Sequence, residues 1–368
     1  MEVVSVELTD FRNYEQQTIG FQPGLNLVVG LNGQGKTNLL EAIHALSVMG
    51  SHRAGPSAAL VRHGQERALV RADGFSRSRP VHLDLEVKRS GGMRMLLNKV
   101  PLERARDAGT ALATILFSPE DLMLTKGGPE ERRRFLDQIA VRLRPLAGQQ
   151  RHEFERVLRQ RNGVLKAAHS SATALSTLDT WDEQLVRTGA AVVQARLDVL
   201  ARLRPTAEKR HAEVAGSDRV PGFAYLAGWA PEIPDYESIP GLLEAAIKAS
   251  RSKDVERGVT TSGPHRDDLE IMLAAVEART FASQGEQRSL ALSLRLAERD
   301  LVAEARGEDP ILLLDDVFSE LDDTRREKLA ELVFSSGQTV ATATATAGVP
   351  IDAGRVITVD EGRVIGDA

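Results

Sequence analysis

Three short segments combine residue types that could handle a chain of phosphates. Gly30-Leu31-Asn32-Gly33-Gln34-Gly35-Lys36-Thr37 fits the spacing G-x-x-x-x-G-K-[ST] at every fixed position. Glycines at 30, 33 and 35 let the backbone curl so that N–H groups point inward at phosphate oxygens. Lys36 is placed to reach the β- and γ-phosphates, and the Thr37 hydroxyl to ligate Mg2+. Ile311-Leu312-Leu313-Leu314-Asp315-Asp316 runs four apolar residues into two carboxylates. Asp315 is the candidate Mg2+ ligand and Asp316 the candidate general base for an attacking water, so Lys36, Asp315 and Asp316 are the catalytic candidates. The third segment, Ser283-Gln284-Gly285-Glu286-Gln287, precedes a helix with Leu290, Leu294, Ala297 and Leu301 on one face. Two readings stay open there. Ser283 and Gly285 could bind an anion at a helix N-terminus, or Ser283 and Glu286 could form an ordinary capping box.

The elements around these segments follow from periodicity. Val3–Leu8 and Leu25–Val29 read as strands, and residues 36–49 as a helix with Gly50 as its C′ residue. Val81–Arg89 and Met93–Val100 read as a hairpin turning at Ser90-Gly91-Gly92, and Thr114–Phe117 as a further strand. From Glu130 the period becomes helical. Residues 130–166 and 181–204 are expected to form an antiparallel helix pair joined by the polar stretch His169–Thr180. Gly216–Pro240 is rich in Pro and Gly, and a short helix is expected at Leu242–Ser250. After the loop Thr260–Asp268 comes a strand at Leu269–Leu273. A helix at 286–306, strands at 311–314 and 339–345, and a hairpin through Asp360-Glu361-Gly362 complete the pattern. The expected organisation is α/β: a head from residues 1–122 and 255–368, interrupted by a mainly helical insertion, residues 123–254.

Composition excludes several classes of chemistry. The 368 residues contain no cysteine, so disulfides, thiolate zinc sites, Cys nucleophiles and iron–sulfur clusters are ruled out. The eight histidines form no HExxH or close pair, which argues against a zinc site. MEVVSVELTD has neither the basic nor the apolar region of a signal peptide, and no apolar run reaches membrane-spanning length. A cytoplasmic location is expected. The net charge of −5 is a sum of opposites: residues 123–254 carry 21 Lys and Arg against 17 Asp and Glu, a net of +4, which leaves −9 elsewhere. Residues 132–161 hold nine Arg. Arg132, Arg133 and Arg134 are therefore candidate contacts to a DNA backbone, with a solvated helix face as the competing reading. Outside the Pro/Gly-rich stretch the insertion's aromatic residues are Phe135, Phe154 and Trp181, at core-like positions, so base-specific reading is not expected.

Together these motifs resemble the ATP-binding-cassette (ABC) ATPases, and within them the heads of SMC-like chromosome-maintenance proteins. Ser283–Gln287 then resembles their signature motif and Ser319–Asp322 their D-loop. The likeness narrows with Phe11-Arg12-Asn13-Tyr14, Asn32–Asn38, Gly263-Pro264-His265-Arg266-Asp267-Asp268 and Asp315–Asp322. This set is similar to the RecF family of DNA replication and repair proteins. The resemblance implies an ABC-type P-loop ATPase head of mixed β-sheets and helices with an inserted helical lobe. It implies ATP and Mg2+ as ligands, with Arg12, Gly30, Leu31, Asn32, Gly33, Gln34, Gly35, Lys36, Thr37 and Asn38 around the nucleotide. It also implies that Ser283, Gly285 and Gln287 approach the nucleotide held by a second copy in a head-to-tail homodimer. Weak, DNA-stimulated hydrolysis would then time binding at single-strand/double-strand junctions, without sequence preference. RecO and RecR are the implied partners, with RecA loading on gapped DNA and SOS induction the implied outcome, and no membrane.

Departures from the cassette pattern are visible. Thr339–Thr346 has no switch His, with Thr344 a candidate stand-in, and Ser118-Pro119-Glu120-Asp121 lacks the usual Gln. His265 reads equally as a functional or a structural loop residue. An insertion of about 130 residues without Cys is too short for SMC arms or a zinc hook. A transporter ATPase subunit and a small-molecule P-loop kinase are the alternatives. Phe11–Tyr14, the insertion and the poor match to a transporter-type L-S-G-G-Q run argue against the first, and the signature-like segment and the acidic pair after an apolar strand disfavour the second.

Overall fold

The computed structural model describes residues 1–51, 53, 57–102, 105–167, 176–215, 218–230, 232, 235–318, 323–334, 337–345 and 354–367. Its contacts divide the chain into two units. Unit 1 comprises Met1–Asp121, Arg210–Asp218 and Ala291–Ala368, and unit 2 comprises Leu122–Lys209 and Arg219–Leu290.

Unit 1 holds two six-stranded sheets. The first is antiparallel, in the order β2 (Tyr14–Gly20), β1 (Glu2–Phe11), β4 (Arg67–Ser76), β5 (Arg79–Lys88), β6 (Met93–Leu97) and β7 (Val100–Pro101). The second runs β15 (Arg363–Asp367), β14 (Arg355–Asp360), β3 (Leu25–Val29), β13 (Thr339–Ala343), β12 (Ile311–Leu314) and β8 (Thr114–Phe117). All neighbours in this sheet are parallel except β14 and β15. Strands β3, β8, β12 and β13 are buried along their whole length. That is why Ile311–Leu314 reads as an unbroken apolar run and not as alternation, and why the polar residues of the other three, Asn26, Thr114, Thr339 and Thr342, are buried with them. Helix α1 (Lys36–Val48) packs Leu39, Leu40, Ile43 and Leu46 into the same core as Val6, Leu8, Phe11, Val70 and Leu85 of the antiparallel sheet. Buried Gln338, just before β13, ties the two sheets: it accepts the Val3 N–H at 2.7 Å and donates to the Val3 carbonyl at 2.8 Å.

Unit 2 is mainly helical. It contains α2 (Pro129–Leu143), α3 (Pro145–Ala167), most of α4 (Leu178–Ala215), α5 (Ile239–Arg257) and the start of α6 (Gln284–Arg306). Phe154, Val157, Leu185, Val192 and Ile247 form a core cluster where α3, α4 and α5 meet. A three-stranded antiparallel sheet, β9 (Pro221–Leu226), β10 (Asp268–Leu273) and β11 (Val276–Glu277), completes the unit. Helix α7 (Asp323–Phe334) lies in unit 1.

Four expectations are corrected. The insertion ends at Leu290 and not at residue 254, and residues 210–218 belong to unit 1. The cause is β10, which pairs along β9 from Asp268–Leu226 to Leu273–Pro221 and so anchors the segment after α5 within unit 2. With these bounds the charges are +3 for unit 2 and −8 for unit 1, so the asymmetry survives. The helix over 130–166 is two helices, because Pro145 cannot continue α2 and Arg144 caps it in extended conformation. The left-handed residue ending α1 is Met49, φ +49°, and not Gly50. Finally, β9 lies inside the Pro/Gly-rich stretch; Pro221 is tolerated as the first residue of an edge strand.

Candidate nucleotide-binding site

The loop 30–37 leaves the buried strand β3 and enters α1. A loop that aims its N–H groups inward must turn its carbonyls outward, and those carbonyls need donors. Both ends of the chain supply them. The Gln34 carbonyl accepts Asn13 Nδ2 at 3.0 Å and the Gly362 N–H at 2.8 Å. The Gly35 carbonyl accepts the buried Tyr14 hydroxyl at 3.0 Å. The Gln34 side chain accepts the Glu361 N–H at 2.6 Å. Asn38 Nδ2 donates to Asn13 Oδ1 at 2.8 Å, fixing the brace to α1. Glycine is required where these segments approach. A Cβ at Gly30 would stand 2.3 Å from the Val359 carbonyl, and one at Gly35, φ +118°, would stand 2.7 Å from Asn13 Nδ2.

The inward side is open to an anion. Gly35 caps α1 without a side-chain bond, and no acidic residue lies in the first turn. The first N–H groups of the helix therefore keep their donors, and the helix dipole adds to them. Lys36 is buried and folds its Nζ across the loop, donating to the Gly30 carbonyl at 2.7 Å and the Leu31 carbonyl at 3.2 Å. Leu31, Asn32 and Gly33 stand exposed beside it.

The acidic strand end converges on the same place. Thr37 Oγ1 donates to Asp315 Oδ1 at 2.9 Å, joining the loop helix to the end of β12. Burial pushes the Asp315 carboxyl above its ordinary range, against the hydrogen bonds from Thr342 and Thr37 that pull it down. Asp316 sits at φ +51°, a left-handed conformation unusual for a residue with a Cβ. Thr342 of β13 holds both acids: its hydroxyl donates to Asp315 Oδ1 at 2.9 Å and accepts the Asp316 N–H at 2.8 Å. Thr342 was not anticipated; it lies two residues before Thr344, the expected stand-in, which is exposed at the strand's end. Thr37 and Asp315 are the residues that fit Mg2+, as hard oxygen donors brought together at the mouth of the loop. Among the described residues no cluster of three or more His, Asp or Glu suggests another metal.

Several expected ligands have other partners. Arg12 is held by protein: Nε and Nη2 form a two-pronged pair with Glu41 of α1 at 2.7 and 2.8 Å, and Nη1 donates to Ala59 O at 2.9 Å. These bonds brace the loop helix from Arg12. Glu41 is wholly buried. Burial raises its pKa, but hydrogen bonds from Arg12 and Ser51 outweigh that and hold the carboxyl low. Arg53 adds a hydrogen bond to Asn38 at 3.2 Å, a contact the sequence did not signal. In the loop without the Gln, Asp121 is buried and pairs with Arg295 at 2.6 Å.

In unit 2 the helix start at Ser283 is a formed capping box. Glu286 Oε2 accepts the Ser283 N–H at 2.8 Å and its hydroxyl at 2.9 Å, and the Glu286 N–H donates to Ser283 Oγ at 3.3 Å. Arg219 pairs with the same carboxylate at 2.5 Å, and these hydrogen bonds hold Glu286 below its usual range. Ser283 is exposed. Gln287 is corrected as a ligand: it is buried and donates to the Ala278 and Arg279 carbonyls, joining the preceding turn to α6. Ser319–Asp322, the expected D-loop, lies outside the described residues.

The arginine triplet does not share a surface. Arg132 is buried and pairs with Asp268 through two bonds of 2.8 Å, with a third to the Gly127 carbonyl. Arg133 donates to the Asp267 carbonyl at 2.6 Å, and Arg134 pairs with Glu130 and Glu131 in solvent. Three successive helix positions point in different directions, so Arg132 is a structural ion pair and not a DNA contact. His265 donates Nε2–H to the Thr260 carbonyl, and burial pushes its pKa down to about 4, so it stays neutral. Its neighbour Asp267, pushed up to about 6 by burial, accepts Tyr225 and Trp229 at 2.6 and 2.8 Å.

The sequence matches the family model "RecF/RecN/SMC N terminal domain" over residues 2–347. It is 43% identical to the DNA replication and repair protein RecF of Streptomyces avermitilis, across 99% of both chains. The chain belongs to the RecF family. Its fold also superposes on a solved RecF structure, described as the ATP complex of the recombination mediator protein in the RecFOR pathway. The TM-score is 0.92 at 29% identity, over 100% of this chain and 97% of that one. An SMC head bound to the C-terminal winged-helix domain of ScpA superposes with a TM-score of 0.57 at 16% identity, covering 100% and 97%. That likeness speaks for the fold alone: an ABC-type ATPase head, as expected. Among the described residues no helix is long and apolar enough to cross a membrane.

Proposed function

We propose that this chain is an ATP-gated DNA-binding protein of recombinational repair and replication, acting in the cytoplasm. The observation that carries the nucleotide part is the 2.9 Å bond between Thr37 and Asp315, which unites a phosphate loop open on its N–H side with an acidic strand end. Lys36 would exchange its loop carbonyls for phosphate oxygens. Thr37 and Asp315 would hold Mg2+, which would neutralise phosphate charge. Asp316, fixed by Thr342, would take the proton of the attacking water.

The same fold carries a serine-led helix N-terminus at Ser283, to which a second copy would bring a phosphate. ATP held at Lys36 of one protomer would be met by Ser283 and Gly285 of its partner, closing a head-to-tail dimer on DNA. Hydrolysis, weak and stimulated by DNA, would reopen it. By likeness to the RecF family, the chain would bind at single-strand/double-strand junctions and work with RecO and RecR in RecA loading and SOS induction.

Sedimentation with ATP, with and without DNA, tests this reading. ATP should convert monomer to dimer; Ser283→Arg should block the dimer, and Asp316→Asn should prolong it. A monomer indifferent to ATP that ignores DNA contradicts the proposal.

A further inference from the structure

Helix α3 buries one face and leaves the opposite one bare. Phe154, Val157, Arg161 and Leu165 point inward. Arg161 is wholly buried and locks the helix in place, pairing with Asp182 at 2.7 Å and Asp254 at 2.8 Å and donating to Thr260 at 2.8 Å. On the outer face His152, Arg156, Arg159, Gly163 and Lys166 are all exposed. Steps of four, three, four and three residues keep them within a sector of about 80° along about 21 Å of helix.

Among the described residues this stripe has no anionic partner. His152, Arg156, Arg159 and Lys166 make no side-chain hydrogen bond or ion pair among the described residues. The two carboxylates of α3 are taken elsewhere, Glu153 by Arg187 at 3.1 Å and Glu155 by Arg151 at 3.3 Å. Gly163 weakens the helix, yet it stands in the middle of the stripe with nothing within 4 Å of where a Cβ would be. It leaves a gap through which a bulky polyanion can approach the backbone. A duplex running beside about 21 Å of helix presents about a dozen phosphate charges.

We propose that the outer face of α3, through Arg156, Arg159 and Lys166 around Gly163, is a contact surface for the backbone of duplex DNA. A rigid straight row of cations suits a duplex. The helix's one aromatic residue, Phe154, is buried, so there is no platform on which single-stranded bases could stack. The assignment rests on the DNA-binding reading above and moves the contact from Arg132–Arg134 to the next helix.

The test is a binding titration of the full chain on a random-sequence duplex and on a single strand, at ~50 and ~200 mM salt. The variant Arg156→Gln/Arg159→Gln/Lys166→Gln is compared with Lys88→Gln/Arg94→Gln/Lys99→Gln, which removes the same charge from exposed positions of unit 1. The stripe variant should bind duplex at least about tenfold more weakly and lower the salt slope by roughly two to three, while the unit 1 variant keeps both. Gly163→Glu should weaken duplex binding as well, and since Glu favours helix over Gly, that loss cannot be unfolding. A stripe variant with unchanged affinity and slope overturns the surface and leaves the DNA reading standing. Loss confined to the single strand overturns the duplex assignment. Absence of DNA binding by the parent chain at either salt overturns both.

Discussion

The phosphate loop and the signature-like helix start are both helix N-termini, but they are finished in opposite ways. At Gly35 the helix has no side-chain cap, and the loop is held from outside by Asn13, Tyr14 and Gly362, residues far away in sequence. At Ser283 the cap is local: Glu286, three residues on, satisfies the serine from within its own turn. The first arrangement keeps its donors free for an anion. The second fills the same kind of position with its own carboxylate, so a phosphate arriving there must compete with Glu286. Preorganisation therefore resides in the loop, while the helix start in unit 2 is stable without a ligand.

Removing the external brace should have the largest effect. In Gly362→Ala the new Cβ would stand 2.5 Å from the Asn13 carbonyl at φ +74°. The turn must shift, and ATP affinity measured by calorimetry should fall at least about tenfold, in line with the cost of strained backbone. Unchanged affinity would mean the hairpin is incidental to the loop.

Thr342→Val keeps the buried volume and deletes the hydroxyl that holds Asp315 and Asp316. Turnover should fall about tenfold, the value of one or two lost hydrogen bonds, with ATP affinity kept. Thr342→Ser should restore it. Equal losses in Val and Ser variants would assign Thr342 to packing alone.

Acid should separate the two regions. The Asp315 carboxyl is raised, so its charge is lost at a higher pH than an ordinary aspartate's. Glu286 is lowered, so the cap's contribution is present above the ordinary glutamate range and is lost only as pH falls through its lowered value. As pH falls, Mg2+-dependent hydrolysis should fail while the Ser283 amide remains protected from exchange. Simultaneous loss would contradict the assigned directions. The smallest effect belongs to Glu286→Gln. It retains an acceptor, so unfolding should shift by less than about 1 kcal/mol, with ATP affinity of the monomer unaltered.

The loop and the acidic strand end were legible because each is continuous in sequence and uses residue types with few other reasons to occur together. The capping box was one of two readings of Ser283–Gln287, for the same reason of locality. What stayed hidden depends on distant partners. Thr342 is one of several alternating Thr and Ala residues, and only the pairing of β13 beside β12 brings it to Asp315. Arg132 looked like a surface cation until Asp268, 136 residues away, drew it inward. Conversely, the stripe on α3 is periodic and local, but the exposed Arg of 132–161 differ from the buried ones only through their neighbours.

The central claim is that one ATP is held by the phosphate loop of one copy and the Ser283 helix of another. It is tested most directly by mixing two disabled chains, Lys36→Met and Ser283→Arg. Alone, neither should dimerise with ATP in sedimentation. Mixed, they can rebuild one intact site from Lys36 of the second variant and Ser283 of the first, and an ATP-dependent heterodimer should appear. If the mixture stays monomeric while the parent chain dimerises, or if Ser283→Arg alone dimerises as the parent does, the shared site is refuted.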